Sequence, residues 1–304
     1  MKEAVRSALL LALLGAAVPA WAQANDPTIV VTGKSLRTEE QTRETIRRAT
    51  RTVDGQLARF IEPVCPRVTG FETQYERTVA ERIKQVAEAI GARAGGEGCV
   101  ANFYVVIVDD GREFVAELER QHPEALEGLS RREWDRLSGD EGIARSWNAT
   151  AMTNSAGAVA GRPSPSAGGG SVKTGFAGSS VSFGDVNVMR AYESSNINPS
   201  VQQAIMSAWV VIETGATFGK SLTQIADYAA MRGLAMVRPA ELASSEDTIL
   251  ALFEPGSPAE PARLTEFDQA YLKSLYRVQG RRWARQQVRQ MADAITREAE
   301  QHTP

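Results

Sequence analysis

Histidine is almost missing from this chain: His122 and His302 are the only two in 304 residues. A zinc site built from several imidazoles is out of reach, since zinc needs three or four protein ligands. A Ser-His-Asp arrangement would rest on His122 alone, which lies between a charged helical stretch and Pro123. Cysteine is equally scarce, with only Cys65 and Cys99. Charge of one sign is not in excess, because 34 Lys and Arg face 37 Asp and Glu for a net charge of −3. A mildly acidic chain offers no electrostatic footprint to nucleic acid or to an anionic membrane. Long apolar runs are lacking as well. The one near the start, Ala8–Val18, is too short for an ordinary membrane span. There is no internal repeat.

That short run has a function of another kind. Lys2 and Arg6 precede it, and Ala20-Trp21-Ala22 follows as an A-x-A-like cleavage site. Met1–Ala22 therefore reads as a signal peptide, and the mature chain is expected in the periplasm or secreted. In that setting Cys65 and Cys99 are expected to form one disulfide. It would close a loop of about 34 residues, worth roughly 3–4 kcal/mol in the chain-entropy account. The rival reading is a catalytic thiol partnered by His122 or His302.

Residues 23–56 read as an N-terminal tail, with Thr38–Arg51 a charged, solvated helix. Residues 57–279 read as one globular α/β domain. Its first unit has a strand near Arg67–Gly70 and a helix over Glu72–Ile90. The helix carries Tyr75, Val79, Ile83, Val86 and Ile90 at helical spacing. Phe103–Val108 (FYVVIV) is a strand of the buried type. Asp109 and Asp110 at its end are of the kind that binds metal or shuttles protons; here they are expected to cap the helix that follows. Arg131–Arg136 reads as a surface helix. Residues 148–182, dominated by Ala, Gly and Ser, form a flexible loop inside the domain. Val186–Arg190 then serves as an edge strand. Leu264–Tyr276 has an apolar helical face. Residues 280–304 read as a thin, charged C-terminal helix that lies on the domain or binds a partner.

The chemistry concentrates in Ser207–Phe253. Ala208–Glu213 (AWVVIE) is a buried-type strand, and Ser221–Gln224 is an S-x-x-Q capping box opening a helix that runs to Arg232. Gly233 is the expected stop. Gly219-Lys220-Ser221 matches the end of a phosphate-binding loop, G-x-x-x-x-G-K-[ST], but the first glycine is displaced: Thr214 holds its position. A zincin helix, H-E-x-x-H-x-x-G, is the other candidate. With Gly233 on the motif glycine, Ala226 and Ala230 stand at the two histidines and Asp227 at the glutamate.

The same helix, QIADYAAMRGLA, is followed by Asp247–Phe253 (DTILALF) and Leu264–Asp268 (LTEFD) with Tyr271, Leu272, Leu275 and Tyr276 beyond. Arg59-Phe60 and Pro63-Val64-Cys65-Pro66 stand near the start. Together these residues resemble a group of uncharacterised secreted alphaproteobacterial proteins over about residues 28–279, the middle loop excepted. That group in turn resembles a ligand-less relative of the zincin metallopeptidases. The resemblance implies a zincin-like mixed sheet with packed helices and a peptide cleft. Its floor would present Asp227 and Tyr228, and Val188 would lie on its edge strand.

Three functions remain open on sequence grounds. The leading one is a non-catalytic exported protein that binds a peptide or an envelope protein, with no cofactor, no metal and no nucleic acid. The second is a hydrolase using carboxylates, whose spacing is spatial and not legible in one sequence. The third is a P-loop-like nucleotide binder.

Overall fold

Alternating apolar residues assemble five strands into one mixed sheet. The computed structural model describes residues 38–126, 129–139, 142–154, 198–244, 246–254, 256–257 and 260–301. The strands are β1 (Arg59–Phe60), β2 (Pro66–Thr69), β3 (Phe103–Val108), β4 (Ala144–Thr153) and β5 (Gln202–Glu213). β4 runs antiparallel along all of β5, from Ala144 opposite Ile212 to Thr153 opposite Gln202, with a bulge between Ala149 and Thr150. The other edge of β5 is shared in tandem. β1 pairs in parallel with Ala204 and Ile205, and β3 pairs with Ala208 to Glu213. β2 lies parallel on the far side of β3.

The helices are α1 (Glu39–Ala49), α2 (Thr73–Ala89), α3 (Gly111–Gln121), α4 (Arg131–Ser138), α5 (Thr214–Thr217), α6 (Leu222–Leu234), α7 (Pro239–Ala243), α8 (Glu266–Arg277) and α9 (Ala284–Gln301). They cover both faces of the sheet, and the period of the strands decides which. Phe103, Val105 and Ile107 with Ala208, Val210 and Ile212 point to the face holding α2 and α6. Val106, Val108, Trp209, Val211 and Trp147 point the other way, onto Val115 and Leu118 of α3 and Leu137 of α4. The expected α/β class, a mixed sheet with packed helices, is what forms.

Several boundaries differ from the sequence reading, each for a physical reason. Thr38–Arg51 is not a solvated tail helix. α1 buries Thr42, Thr45, Ile46 and Ala49, a narrow apolar stripe outnumbered by charge, and packs on α9. α9 buries Val288, Met291, Ala292 and Ile295, so the C-terminal helix lies on the domain. The polar start of the expected flexible loop, Asn148–Thr153, belongs to β4. There the buried polar groups are satisfied: Asn148 donates its amide to the Gly233 carbonyl at 2.9 Å, and Ser146 Oγ accepts from Arg232 Nε at 2.8 Å. β5 begins at Gln202 rather than Ala208. In α2, Val79, Ile83 and Val86 are buried as the spacing demands, whereas Tyr75 is exposed. Met1–Ala22, and Val188 with the rest of Val186–Arg190, lie outside the described residues.

Gly233 does not stop α6, which continues to Leu234. Its role is steric. A Cβ at 233 would lie 2.3 Å from Phe103 Cζ and 3.3 Å from the Ala208 Cβ. The glycine lets the helix press onto β3 and β5, and Phe103 is itself fully buried with nowhere to move. Gly233→Ala is therefore expected to cost roughly 1–3 kcal/mol, the usual scale for overpacking a core. The midpoint of urea unfolding would report it.

Candidate functional site

α6 starts where its sequence says it should. Ser221 Oγ accepts from the Gln224 N–H at 3.2 Å, and Gln224 Oε1 accepts from the Ser221 N–H at 2.9 Å. From there the helix runs into the core, and every residue from Ile225 to Leu234 is buried. Asp227, which the sequence reading sets at the zincin glutamate, is 0% exposed. Arg82 of α2 grips it as a fork, Nε to Oδ1 at 2.7 Å and Nη2 to Oδ2 at 3.0 Å. The backbone N–H of Leu264 donates to Oδ2 at 2.8 Å. The hydrogen bond to Asp227 raises the Arg82 pKa, and partial burial opposes it. Asp227 thus ties three segments together: α2, α6 and the entry to α8.

Tyr228 is buried as well. Its hydroxyl accepts from Arg232 Nη1 at 2.6 Å, and its ring meets Phe253 edge-on at 4.6 Å. Ala226 and Ala230, which the same reading sets at the two histidines, are 0% exposed. The expected cleft floor of Asp227 and Tyr228 is therefore corrected: both side chains are packed inside and paired. The physical reason is that Arg82 of α2 and the Leu264 N–H close on Asp227, while Arg232 and the Phe253 ring close on Tyr228.

The other candidate motifs also resolve into structure. Lys220 Nζ pairs with Glu260 Oε1 at 2.7 Å, Gly215 lies within α5, and the Ser221 hydroxyl caps α6. Both side chains that a phosphate loop would use are engaged locally. Asp110 caps α3, accepting from the N–H groups of Arg112 at 2.8 Å and Glu113 at 2.9 Å. The Glu113 N–H in particular holds its carboxyl below the usual range. Cys65 and Cys99 form a disulfide with their Cα atoms 6.0 Å apart, so neither is a free thiol.

The sheet leaves a concave surface elsewhere, on its α3 side. A cavity of about 720 Å³ opens at the N-terminal end of β3. The Cys65–Cys99 bond and Val100 wall one side, Leu118, His122 and Ala125 the other, and Tyr104, Met206 and Trp209 supply the sheet side. Such a volume suits a small ligand or one or two side chains of a larger one.

No protein family, curated protein or solved structure matches the chain. The reading of the groove therefore rests on its own residues.

Its rings are held in a ladder. Register places Tyr104, Trp209 and Trp147 side by side on three strands. Tyr104 stacks on Trp209 at 4.1 Å with planes 16° apart, and Trp209 on Trp147 at 5.5 Å with planes 3° apart. Trp147 anchors the ladder, fully packed and donating Nε1 to the Ala125 carbonyl at 2.9 Å. The Tyr104 hydroxyl donates to the Ala101 carbonyl at 2.8 Å. Each ring pair contributes roughly 0.5–1.5 kcal/mol beyond its burial, so the groove's aromatic side is rigid. At the rim Val100 is 90% exposed, an apolar side chain left in water. The sequence reading takes the strands of Tyr104 and Trp209 for core alone and places no strand at Trp147. Tyr104, Trp147 and Trp209 share a face only once the pairing of β3, β5 and β4 is known.

Proposed function

We propose that the chain is an exported, non-catalytic binding protein on a degenerate zincin-like scaffold, and that it takes a peptide or an envelope protein. One observation carries the non-catalytic part. The carboxylate that stands where a zincin keeps its general base is consumed by Arg82 and the Leu264 N–H. A base must reach the proton it abstracts, and a forked, water-excluded carboxylate does not. The leader sequence and the disulfide support export.

The binding part is supported by the groove and by its neighbour β4. Among the described residues no strand pairs with the outer edge of β4, and Ala149 to Met152 along it are partly or fully exposed. Ala149 lies opposite Ser207, which lines the groove. An extended peptide added to this edge would run beside the groove, which then receives an apolar side chain. Main-chain pairing with side-chain pockets is a recurrent mode of peptide recognition, and it is the mode the zincin resemblance implies.

Incubation with a pool of envelope-derived peptides, followed by mass spectrometry of the bound fraction, tests both parts. Bound peptides are expected intact, and Asp227→Asn is expected to recover the same set. Val100→Asp, which disturbs the rim at no cost to the core, is expected to recover at least tenfold less. Cleavage products that vanish in Asp227→Asn would sink the non-catalytic reading. Equal recovery by Val100→Asp would remove the groove from the binding site.

A further inference from the structure

We propose that the groove is redox-latched: the Cys65–Cys99 bond holds its outer wall closed, and reduction by a dithiol releases that wall without unfolding the sheet. The latch regulates the binding site proposed above and in that respect rests on that reading. Its mechanical part stands on the contacts of one short loop.

The wall is the segment between α2 and β3. Its two ends are anchored by backbone bonds. The Gly95 N–H donates to the Val64 carbonyl at 2.8 Å, and the N–H groups of Asn102 and Phe103 donate to the Cys65 carbonyl at 3.1 and 3.2 Å. Asn102 adds a side-chain clamp, accepting from the Cys65 N–H at 2.8 Å and donating to the Pro63 carbonyl at 3.0 Å. Between those anchors the segment has little hold. From Gly96 to Val100, among the described residues, the hydrogen bond recorded is local, Cys99 N–H to the Gly96 carbonyl at 3.3 Å. Gly96, Glu97, Gly98 and Val100 are exposed, and a Cβ added at either glycine would touch nothing within 4 Å. Gly98 sits at φ +72°, where glycine is at ease. The tie of this stretch to the body is the sulfur of Cys99. That sulfur is close-packed, since a Cβ at Gly95 would lie 2.5 Å from it.

The consequence is a division of labour within one covalent bond. The anchors at Gly95 and Asn102 keep β2 and β3 paired with or without it. The stretch that walls the groove depends on it. Thiol–disulfide exchange releases the latch with a balanced exchange of electrons. One thiolate of an external dithiol attacks the Cys99 sulfur, the partly exposed partner, and expels the Cys65 thiolate. The second thiol of the reagent then attacks its own sulfur in the mixed disulfide and expels the Cys99 thiolate. Two electrons pass to the protein, two protons are taken up at its thiols, and the reagent leaves as its disulfide.

Backbone 15N relaxation on the full chain, oxidised and then reduced with dithiothreitol, tests the latch. Order parameters of residues 96–100 are expected to fall below about 0.6 after reduction, with those of β3 and β5 staying at about 0.85. A Cys65→Ser, Cys99→Ser double variant is expected to show the same pattern without reductant. Unchanged order parameters at 96–100 in the reduced protein would overturn the proposal. So would a fall spread over the whole sheet, because the bond would then be a general staple. The peptide pool of the preceding section separates the two readings. If neither the oxidised nor the reduced protein binds peptide yet residues 96–100 loosen on reduction, the binding reading fails and the latch survives. If peptides bind equally in both redox states, regulation of the site by the latch fails.

Discussion

Arg82→Ala is expected to lower the stability of the protein by about 3–5 kcal/mol, the scale for removing one partner of a buried ion pair. Asp227 is 0% exposed, and its two oxygens would be left with the single donor of Leu264. The desolvation of the carboxylate is then no longer offset. Arg82→Lys is expected to recover part of the loss, since an ammonium supplies charge but not the fork that meets both oxygens. Replacing both Arg82 and Asp227 by alanine should cost less than the sum of the single changes, the non-additivity that coupled neighbours show. Urea unfolding of the wild type, Arg82→Ala, Arg82→Lys, Asp227→Ala and the double variant reads all of this. A loss below about 1 kcal/mol for Arg82→Ala, the level of an exposed pair, would mean that water reaches Asp227 once the arginine is gone.

Asp268→Ala is the second large effect, about 2–4 kcal/mol, because it strands several buried donors at about 1–3 kcal/mol each before relaxation. The carboxylate of Asp268 accepts from the Thr248 hydroxyl and from the N–H groups of Ile249 at 2.7 Å and Thr265 at 3.0 Å. It thereby closes the capping box of α8 and pins the turn at Ile249–Phe253 to it. The pH dependence has a definite sign. Burial pushes the Asp268 carboxyl above its ordinary value, and those hydrogen bonds only partly pull it back. A raised folded pKa means that the folded state holds the proton more tightly than the unfolded chain. Its contribution is therefore complete below the unfolded value of about 4 and declines as pH rises through the folded value. The gap between wild type and Asp268→Ala should be widest near pH 4 and narrow above it. A gap that widens with pH would show that hydrogen bonding outweighs burial at this carboxylate.

The elements with a strong local signal were legible in the sequence. FYVVIV and AWVVIE announce buried strands, Ser221-x-x-Gln224 announces its own cap, and two lone cysteines in a chain expected to be exported announce a bond. What failed to show was anything decided by partners distant in sequence. Asp227 looks like a lone acid on a helix until Arg82, 145 residues away, is brought against it. Ala149 to Thr153 look like the start of a featureless loop, because β4 is held by its partner strand and not by apolar side chains. Gly233 looks like a helix stop because a glycine that ends a helix and one that admits a phenylalanine ring read alike. The groove was invisible for the same reason. Its rings, Tyr104 and Trp209, lie on two strands, and its wall is set by a bond whose place on the surface depends on the fold.

The position of β5 in the chain bears on how the protein comes together. β1, β3 and β4 all pair with a strand that begins at Gln202. The parallel partner Phe103 meets Ala208 across more than a hundred residues, and pairings of that span are slow to form. A chain that emerges N-terminus first, from a ribosome or through a translocation pore, cannot complete this sheet until about two thirds of it has appeared. Until then β1 lacks its partner strand and β3 is paired with β2 alone. The central strand thus acts as a timer: the order in which the chain is made withholds the final fold until the last third arrives.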